Sequence, residues 1–191
     1  MELIGKNAML RDYIPEDYED HVKWRTVETE WKNWDAPWNK NDRGGDSVIE
    51  YAERRLLKLK TARDEDIRWT FEICSYPERK HIGWMNCYCI DRFCNYSTTD
   101  HGRYCLGIDI VPQEYRGKGL GKEAFTLFQN YLLEFGITRI YTQTWSGNTR
   151  MIALAKSLGY VLYKEKKGFY KTPSATYSLL TFKLDLEDRE F

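Results

Sequence analysis

Hydrophobic and polar positions alternate in several short runs along the chain. The runs 8–13, 67–73 and 81–90 alternate most clearly, and a polar turn at 75–80 separates the last two. Alternation with a period of two indicates strands that bury one face, and the two neighbouring runs indicate a hairpin. Further strands are predicted at 104–111, 138–144, 160–163 and 176–184.

Four segments carry the signals of helices instead. The first begins near Pro15, which acidic residues follow, and this arrangement suits the first turn of a helix. The second follows a cap at Asp46 or Ser47 and has an apolar stripe along one side. Two more helices are predicted at 123–135 and 149–158, and a glycine follows each of them.

These elements predict a single α/β domain over residues 1–191. We expect a mixed, mostly antiparallel sheet of about six to seven strands, flanked by about four helices. Only the strand–helix–strand unit between 104 and 144 requires parallel pairing, because a parallel connection needs a crossover. A chain of this length can bury one sizeable core.

A glycine-rich turn, Tyr-Arg-Gly-Lys-Gly-Leu-Gly-Lys at 115–122, joins the predicted strand and helix of that unit. A turn of this kind points backbone N–H groups and the positive end of the helix dipole at an anion. Its alternate glycines remove the Cβ atoms that would keep a phosphate away. Arg116, Lys118 and Lys122 add positive charge. We therefore expect a diphosphate-bearing cofactor at this helix start.

The spacing of the turn narrows the class of cofactor. The nucleotide-binding P-loop has Ser or Thr after Gly-Lys, whereas Glu123 follows Lys122 here. The dinucleotide pattern fails as well, because Lys122 occupies the position of its last glycine. The pattern Arg-x-x-Gly-x-Gly, formed by Arg116, Gly119 and Gly121, resembles the pyrophosphate loop of the GNAT superfamily of acyl-CoA-dependent N-acyltransferases.

A second motif strengthens this resemblance. Asn148 begins a predicted amphipathic helix that ends in Leu-Gly-Tyr at 158–160, which is similar to the corresponding GNAT segment. The two motifs cover about 104–163 in the order found in that superfamily. Three features nearer the start of the chain further resemble the branch that includes ribosomal-protein N-terminal acetyltransferases. They are the first strand with Leu10-Arg11, the helix start at 15–17 and a tryptophan-rich segment at 31–38. Gly-Ile-Asp at 107–109 locally resembles a strand of some aminoglycoside 6′-acetyltransferases.

The resemblance implies a slot for acetyl-CoA between two splayed central strands. Backbone groups of Ile110 and Val111 would contact the pantetheine arm, and amides of the glycine-rich turn would hold the diphosphate with help from Arg116. Asn148 would contact the cofactor near its sulfur-bearing arm, or cap its helix, and both can hold. The implied cofactor-binding set is Ile110, Val111, Arg116, Gly117, Lys118, Gly119, Leu120, Gly121, Lys122 and Asn148.

Acyl transfer to an amine also needs a proton acceptor, a donor to the thioester oxygen and a suitable environment for the thiolate. Asp109 is the first candidate for the base, since it is an acid on an apolar strand beside the slot, and Glu72 is the second. The usual family acids, a Tyr or a Ser, are replaced by Ala155 and Met151. Tyr141 is the substitute that we expect, and without it the thiolate leaves without a dedicated acid.

The composition limits the partners. With 29 basic and 29 acidic residues, the chain gives no support to a general nucleic-acid or membrane-surface role. No run is long enough for a membrane span and the start lacks a signal peptide, so we expect a cytoplasmic protein. The five cysteines fit no zinc spacing, and no metal is expected. Trp31, Trp34 and Trp38 form either a substrate-side wall or a loop folded onto the core.

The sequence thus predicts an acetyl-CoA-dependent N-acetyltransferase acting on a primary amine. The acceptor is a protein N-terminus or a small amine such as a polyamine or an aminoglycoside. A non-catalytic acyl-CoA-binding sensor or interaction module is the alternative, and a nucleotide-binding regulator is a third. The protein is expected to be a monomer or a homodimer.

Overall fold

The computed structural model describes residues 1–35, 47–63, 65–172 and 175–186. Nine strands lie within these residues and form one sheet. The strands are β1 (Glu2–Ile4), β2 (Ala8–Arg11), β3 (Thr70–Ser75), β4 (His81–Ile90), β5 (Tyr96–Ser97), β6 (Tyr104–Ile110), β7 (Arg139–Trp145), β8 (Val161–Lys171) and β9 (Thr176–Asp185).

The strand order is β1-β2-β3-β4-β6-β7-β9-β8, with β5 paired to β4. Every pairing is antiparallel except that of β6 with β7. The predicted mixed, mostly antiparallel sheet is therefore confirmed. The described strands outnumber the prediction because β1 and β5 have three and two residues, too few to display a period.

The described helices are α1 (Asp17–Thr26), α2 (Lys32–Asp35), α3 (Val48–Thr61), α4 (Leu120–Glu134) and α5 (Thr149–Ser157). The prediction lacked α2, which follows a short 3₁₀ turn at Thr29–Trp31 within the tryptophan-rich segment. Ser47 caps α3 and forms a capping box with Glu50, whereas the alternative cap, Asp46, lies outside the described residues.

The helices cover the sheet from both sides. Phe125, Phe128 and Leu132 of α4 belong to the main apolar core, where the rings of Phe71 and Phe128 meet at 5.0 Å. Successive side chains of a strand point to opposite faces, so Glu72 faces away from α4. On that second face Glu72 contacts α1 and α3. None of the described helices is long and apolar enough to cross a membrane.

The parallel pairing of β6 with β7 is short. It comprises Tyr104 with Ile140, Cys105 with Tyr141, and Leu106 with Thr142. Beyond this point the strands separate, and α4 begins just past the open end of β6. The fold thereby opens its sheet in the middle, beside a helix N-terminus.

Candidate active site

A cleft of about 1170 Å³ occupies the gap between β6 and β7. Residues 107–110 line one side, and residues 143–145 line the other. The glycine-rich turn, α5 and part of the tryptophan-rich segment complete its walls. The cleft therefore joins the predicted cofactor loop to the predicted acceptor wall.

The free edge of β6 supplies backbone groups to this cleft. The N–H of Val111 donates to the carbonyl of Ile82 at 2.9 Å, on the β4 side. Backbone groups of an antiparallel ladder alternate between its two edges, so the N–H groups of Ile110 and Ile108 point into the gap. Of the two backbone groups predicted to contact the cofactor, the N–H of Ile110 faces the gap, whereas the N–H of Val111 already has a partner on β4.

The glycine-rich turn has the backbone that the sequence suggested. Gly117 and Gly119 have φ of +72° and +86°, and a Cβ at either residue would meet no atom within 4 Å. Gly119 precedes the first turn of α4, and this helix start has no side-chain cap. Its first N–H groups are therefore available to an anion, as is the positive end of the helix dipole.

Not every residue of the turn faces the cleft. Gly121 and Lys122 line it, whereas Lys118 is exposed outside the lining. Leu120 is only 6% exposed and packs into the core, so only its backbone remains near the cleft. The charge predicted around the turn is therefore carried on the cleft side by Lys122 and Arg116.

Arg116 is committed to protein partners. Its Nε donates to the carbonyl of Ile110 at 2.7 Å, and its terminal nitrogens bond to the carbonyl of Val111 and the carboxylate of Glu30. These bonds tie the turn to the end of β6. The structure accordingly gives Arg116 a part in holding the turn in place.

Asn148 caps α5, as one of its two interpretations predicted. Its Oδ1 accepts from the N–H of Met151 at 3.0 Å, and its Nδ2 donates to the carbonyl of Trp34 at 2.8 Å. The side chain lines the cleft. It thus connects the start of α5 to the tryptophan-rich segment.

Trp31 and Trp34 line the cleft, as a substrate-side wall would. Trp31 packs edge-on against Trp84 at 5.1 Å, and the Trp34 carbonyl also accepts from Trp145 Nε1 at 2.8 Å. Arg150 lies 3.9 Å from the centre of the Trp34 ring. The third predicted wall residue, Trp38, lies outside the described residues.

Asp109 lies in the cleft on the same face of the sheet as Trp84, its register partner. Burial raises the pKa of Asp109 well above its ordinary value, the negative charge of Asp35 raises it further, and Arg116 opposes the rise. Asp35 lines the same cleft. A carboxylate with a raised pKa binds protons more strongly than usual, which suits a base acting on an ammonium group.

Glu72 was predicted as the second base, and its position corrects that prediction. It is 0% exposed and does not line the cleft. His21 and His81 bond to its Oε2 at 3.1 Å each, and Arg55 lies 3.1 Å from Oε1. Ligand atoms of Glu72 and the two histidines lie within 4.8 Å of one another, a geometry that could hold a metal ion. Arg55 already balances the carboxylate charge.

Tyr141 was predicted as the substitute acid, and it too lies elsewhere. It is 1% exposed, packs with Cys94 and Cys105, and accepts a hydrogen bond from Arg103 at 3.0 Å. Tyr88 and Tyr170 line the cleft instead. The alternation of β4 could have identified Tyr88, since it places Tyr88 on the same face as Trp84.

Comparison with known proteins agrees with these observations. The model of the family described as acetyltransferase (GNAT) domain matches residues 7–161. No curated protein matches the sequence. Among solved structures, the chain is similar to the ribosomal-protein-S5-alanine acetyltransferase of Vibrio fischeri, with 16% identity, a TM-score of 0.73 and complete coverage of both chains.

Two further solved structures carry cofactor. One is a Salmonella typhimurium protein with its cofactor acetyl-CoA, at 15% identity and a TM-score of 0.68, covering 97% of this chain and 98% of that one. The other is a ribosomal L7/L12 alpha-N-protein acetyltransferase in complex with coenzyme A, at 11% identity and a TM-score of 0.70, covering 98% of this chain and 100% of that one. At these identities the likeness concerns the fold.

Proposed function

The chain belongs to the GNAT acetyltransferase family, and we propose that it transfers the acetyl group of acetyl-CoA to a primary amine. The observation that carries this proposal is the continuous cleft between β6 and β7. The uncapped start of α4 lies at one part of the cleft, and the carboxylates of Asp109 and Asp35 lie at another. One cleft thus offers an anion site and a proton acceptor.

The residues present fit acetyl-CoA. Gly117 and Gly119 leave open space above a row of amides, which suits a diphosphate. The gap-facing N–H groups of Ile108 and Ile110 suit an amide-containing arm and a thioester oxygen. Two structures that share the fold were solved with acetyl-CoA or coenzyme A, which supports the same assignment.

The acceptor end favours a cationic amine. Trp31, Trp34 and Trp84 line the cleft together with Asp35 and Asp109, and a cationic amine would offset the charge of the two carboxylates there. Asp109 would take the proton of the ammonium group, so that the free amine attacks the thioester. Because two fold neighbours are named as acetyltransferases of ribosomal-protein S5-alanine and L7/L12, we propose a protein N-terminus as the first acceptor to test.

Calorimetric titration with acetyl-CoA, coenzyme A and ATP tests the cofactor. We expect micromolar binding of acetyl-CoA and weaker binding of ATP, and no binding of acetyl-CoA would refute the proposal. Gly119→Ala should weaken the binding because its methyl group would project into the open space above the turn. Gly136→Ala is the matched control, since Gly136 has a φ of +74° with equally open surroundings at the other end of α4.

A thiol-release assay then tests the acceptor. Peptides with free N-terminal Ala or Ser, spermidine and an aminoglycoside are the amines to compare. Release of thiol with one class identifies the acceptor. Acetyl-CoA binding with no turnover on any amine would favour the non-catalytic acyl-CoA-binding module.

A further inference from the structure

The proposed reaction leaves one role without a residue, the acid that protonates the departing thiolate. Met151 and Ala155 carry no transferable proton, and Tyr141 lies outside the cleft. Among the described residues, three tyrosines line the cleft: Tyr115 belongs to the glycine-rich turn, whereas Tyr88 and Tyr170 lie within reach of the charge of Asp35.

Tyr88 reaches the fork at which β6 and β7 separate. The last paired residues are Leu106 and Thr142, so Gln143 is the first residue of β7 beyond the fork. Tyr88 stands on β4 opposite Cys105, and its hydroxyl donates to Gln143 Oε1 at 3.2 Å. The side chain therefore crosses β6 and places its hydroxyl at the fork.

The amide of Gln143 holds that hydroxyl in position. Its Nε2 donates to the carbonyl of Cys94 at 2.9 Å and to Thr181 Oγ1 at 3.0 Å. These two acceptors fix the orientation of the amide, so that Oε1 faces Tyr88. Burial raises the pKa of Tyr88 well above its ordinary value, which makes the phenol a weaker acid, and the same burial makes a thiolate formed beside it a stronger base.

The free edge of β6 shows why a proton is needed at the fork. This edge leads from the glycine-rich turn, past Ile110 and Ile108, back to the last paired residue, Leu106. A thioester arm that followed this edge from the diphosphate site would run toward the fork, and its sulfur would then approach the Tyr88 hydroxyl.

We propose that Tyr88 is the catalytic acid of the acetyl transfer and that Gln143 is its positioning residue. This inference rests on the proposed function. The amine nitrogen forms a bond to the carbonyl carbon, the carbon–sulfur bond breaks with its electron pair on sulfur, and sulfur takes the phenolic proton of Tyr88, which until then is donated to Gln143 Oε1. The proton lost by the nitrogen restores Tyr88, while Asp109 has already taken the first ammonium proton.

The first test compares coenzyme A with desulfo-coenzyme A, which lacks the sulfur. Calorimetry at pH 8.5 measures how much the thiol adds to binding. We expect Tyr88→Phe to weaken coenzyme A binding about tenfold and to leave desulfo-coenzyme A binding unchanged, because only the first loses a hydrogen bond to sulfur. Equal effects on the two ligands would overturn the proposal.

The second test measures turnover. Tyr88→Phe should lower kcat about 100-fold at an unchanged KM for acetyl-CoA, the usual scale of a lost acid. Tyr163→Phe is the matched control, since the exposed Tyr163 carries a hydroxyl bound by Arg103 outside the cleft. If Tyr170→Phe abolishes turnover while Tyr88→Phe turns over near the wild-type rate, the acid is Tyr170 and the proposal is refuted.

The third test distinguishes an acid from a packing residue. Fluorotyrosine incorporated in place of Tyr88 keeps the shape and lowers the phenol pKa. It should restore turnover lost in Tyr88→Phe and move the alkaline limb of the pH profile to lower pH, whereas an unmoved limb would indicate packing alone. The proposed function is tested by the wild-type protein alone. If the wild-type protein binds acetyl-CoA but acetylates no amine, the proposed function is refuted, whatever the Tyr88 variants show.

Discussion

Replacing Glu72 by glutamine separates a structural carboxylate from a catalytic one. Glu72 is fully buried where two histidines and Arg55 converge on its oxygens, each at 3.1 Å. Glu72→Gln keeps the size of the side chain and removes its charge. The substitution leaves the positive charge of Arg55 buried without its anion, and an unpaired buried charge strongly destabilises the folded state.

The pKa of Glu72 gives the expected magnitude. Burial by itself raises this pKa, but the hydrogen bonds from His21 and His81 and the charge of Arg55 lower it from 4.5 to about 2. The difference corresponds to about 3 kcal/mol of folding free energy at neutral pH. Because the folded pKa is depressed, this stabilisation is full above about pH 4.5 and is lost as the pH falls through 2.

Urea unfolding at pH 7 measures the loss. We expect Glu72→Gln to lower the free energy of unfolding by about 3 kcal/mol, and Glu53→Gln, an exposed glutamate on α3, to lower it by less than about 0.5 kcal/mol. Below the unfolding transition, kcat of Glu72→Gln should stay near wild type. A stability loss under about 1 kcal/mol, or a collapse of kcat in folded protein, would refute this reasoning.

Three more predictions follow from the site and the helix caps. Asp109→Asn should lower kcat about 100-fold. The wild-type rate should rise with pH through the raised pKa of Asp109, and Asp35→Asn, which removes the neighbouring charge, should shift that limb of the pH–rate profile to lower pH. Tyr141→Phe should keep kcat near wild type in the thiol-release assay, because its hydroxyl bonds to Arg103 outside the cleft. Ser47→Ala should cost about 1 kcal/mol in urea unfolding, since it removes the capping box of α3.

Local patterns predicted most of the fold. The run 81–90 coincides with β4, and α5 begins at Thr149, directly after the Asn148 cap. The start of α4 was predicted at residue 123, whereas the helix begins at Leu120. Leu120, Gly121 and Lys122 are already helical, because Gly119, with a φ of +86°, turns the chain into the helix directly before Leu120. A glycine count alone does not show where the turn stops.

The error at Glu72 has an identifiable physical origin. Glu72, Trp84 and Asp109 are register partners on adjacent strands and share one face of the sheet. Alternation identifies that face, but it does not show how much of the face helices cover. Here α1 and α3 bury Glu72, while the face remains open from Trp84 onward. Arg55 stands four residues after Tyr51 and three after Ala52, on the apolar stripe of α3, and this basic residue on an apolar stripe was the sequence signal that an anion lay beneath the helix.

The tryptophan-rich segment connects the two halves of the site. Glu30 bonds to Arg116, which holds the glycine-rich turn against β6. The carbonyl of Trp34 accepts from Trp145 and from Asn148, on the opposite side of the cleft. The acceptor wall is therefore built on the same groups that shape the cofactor slot. Because this one segment bonds to groups on both sides of the cleft, we expect changes in it to alter the proposed cofactor and acceptor sites together.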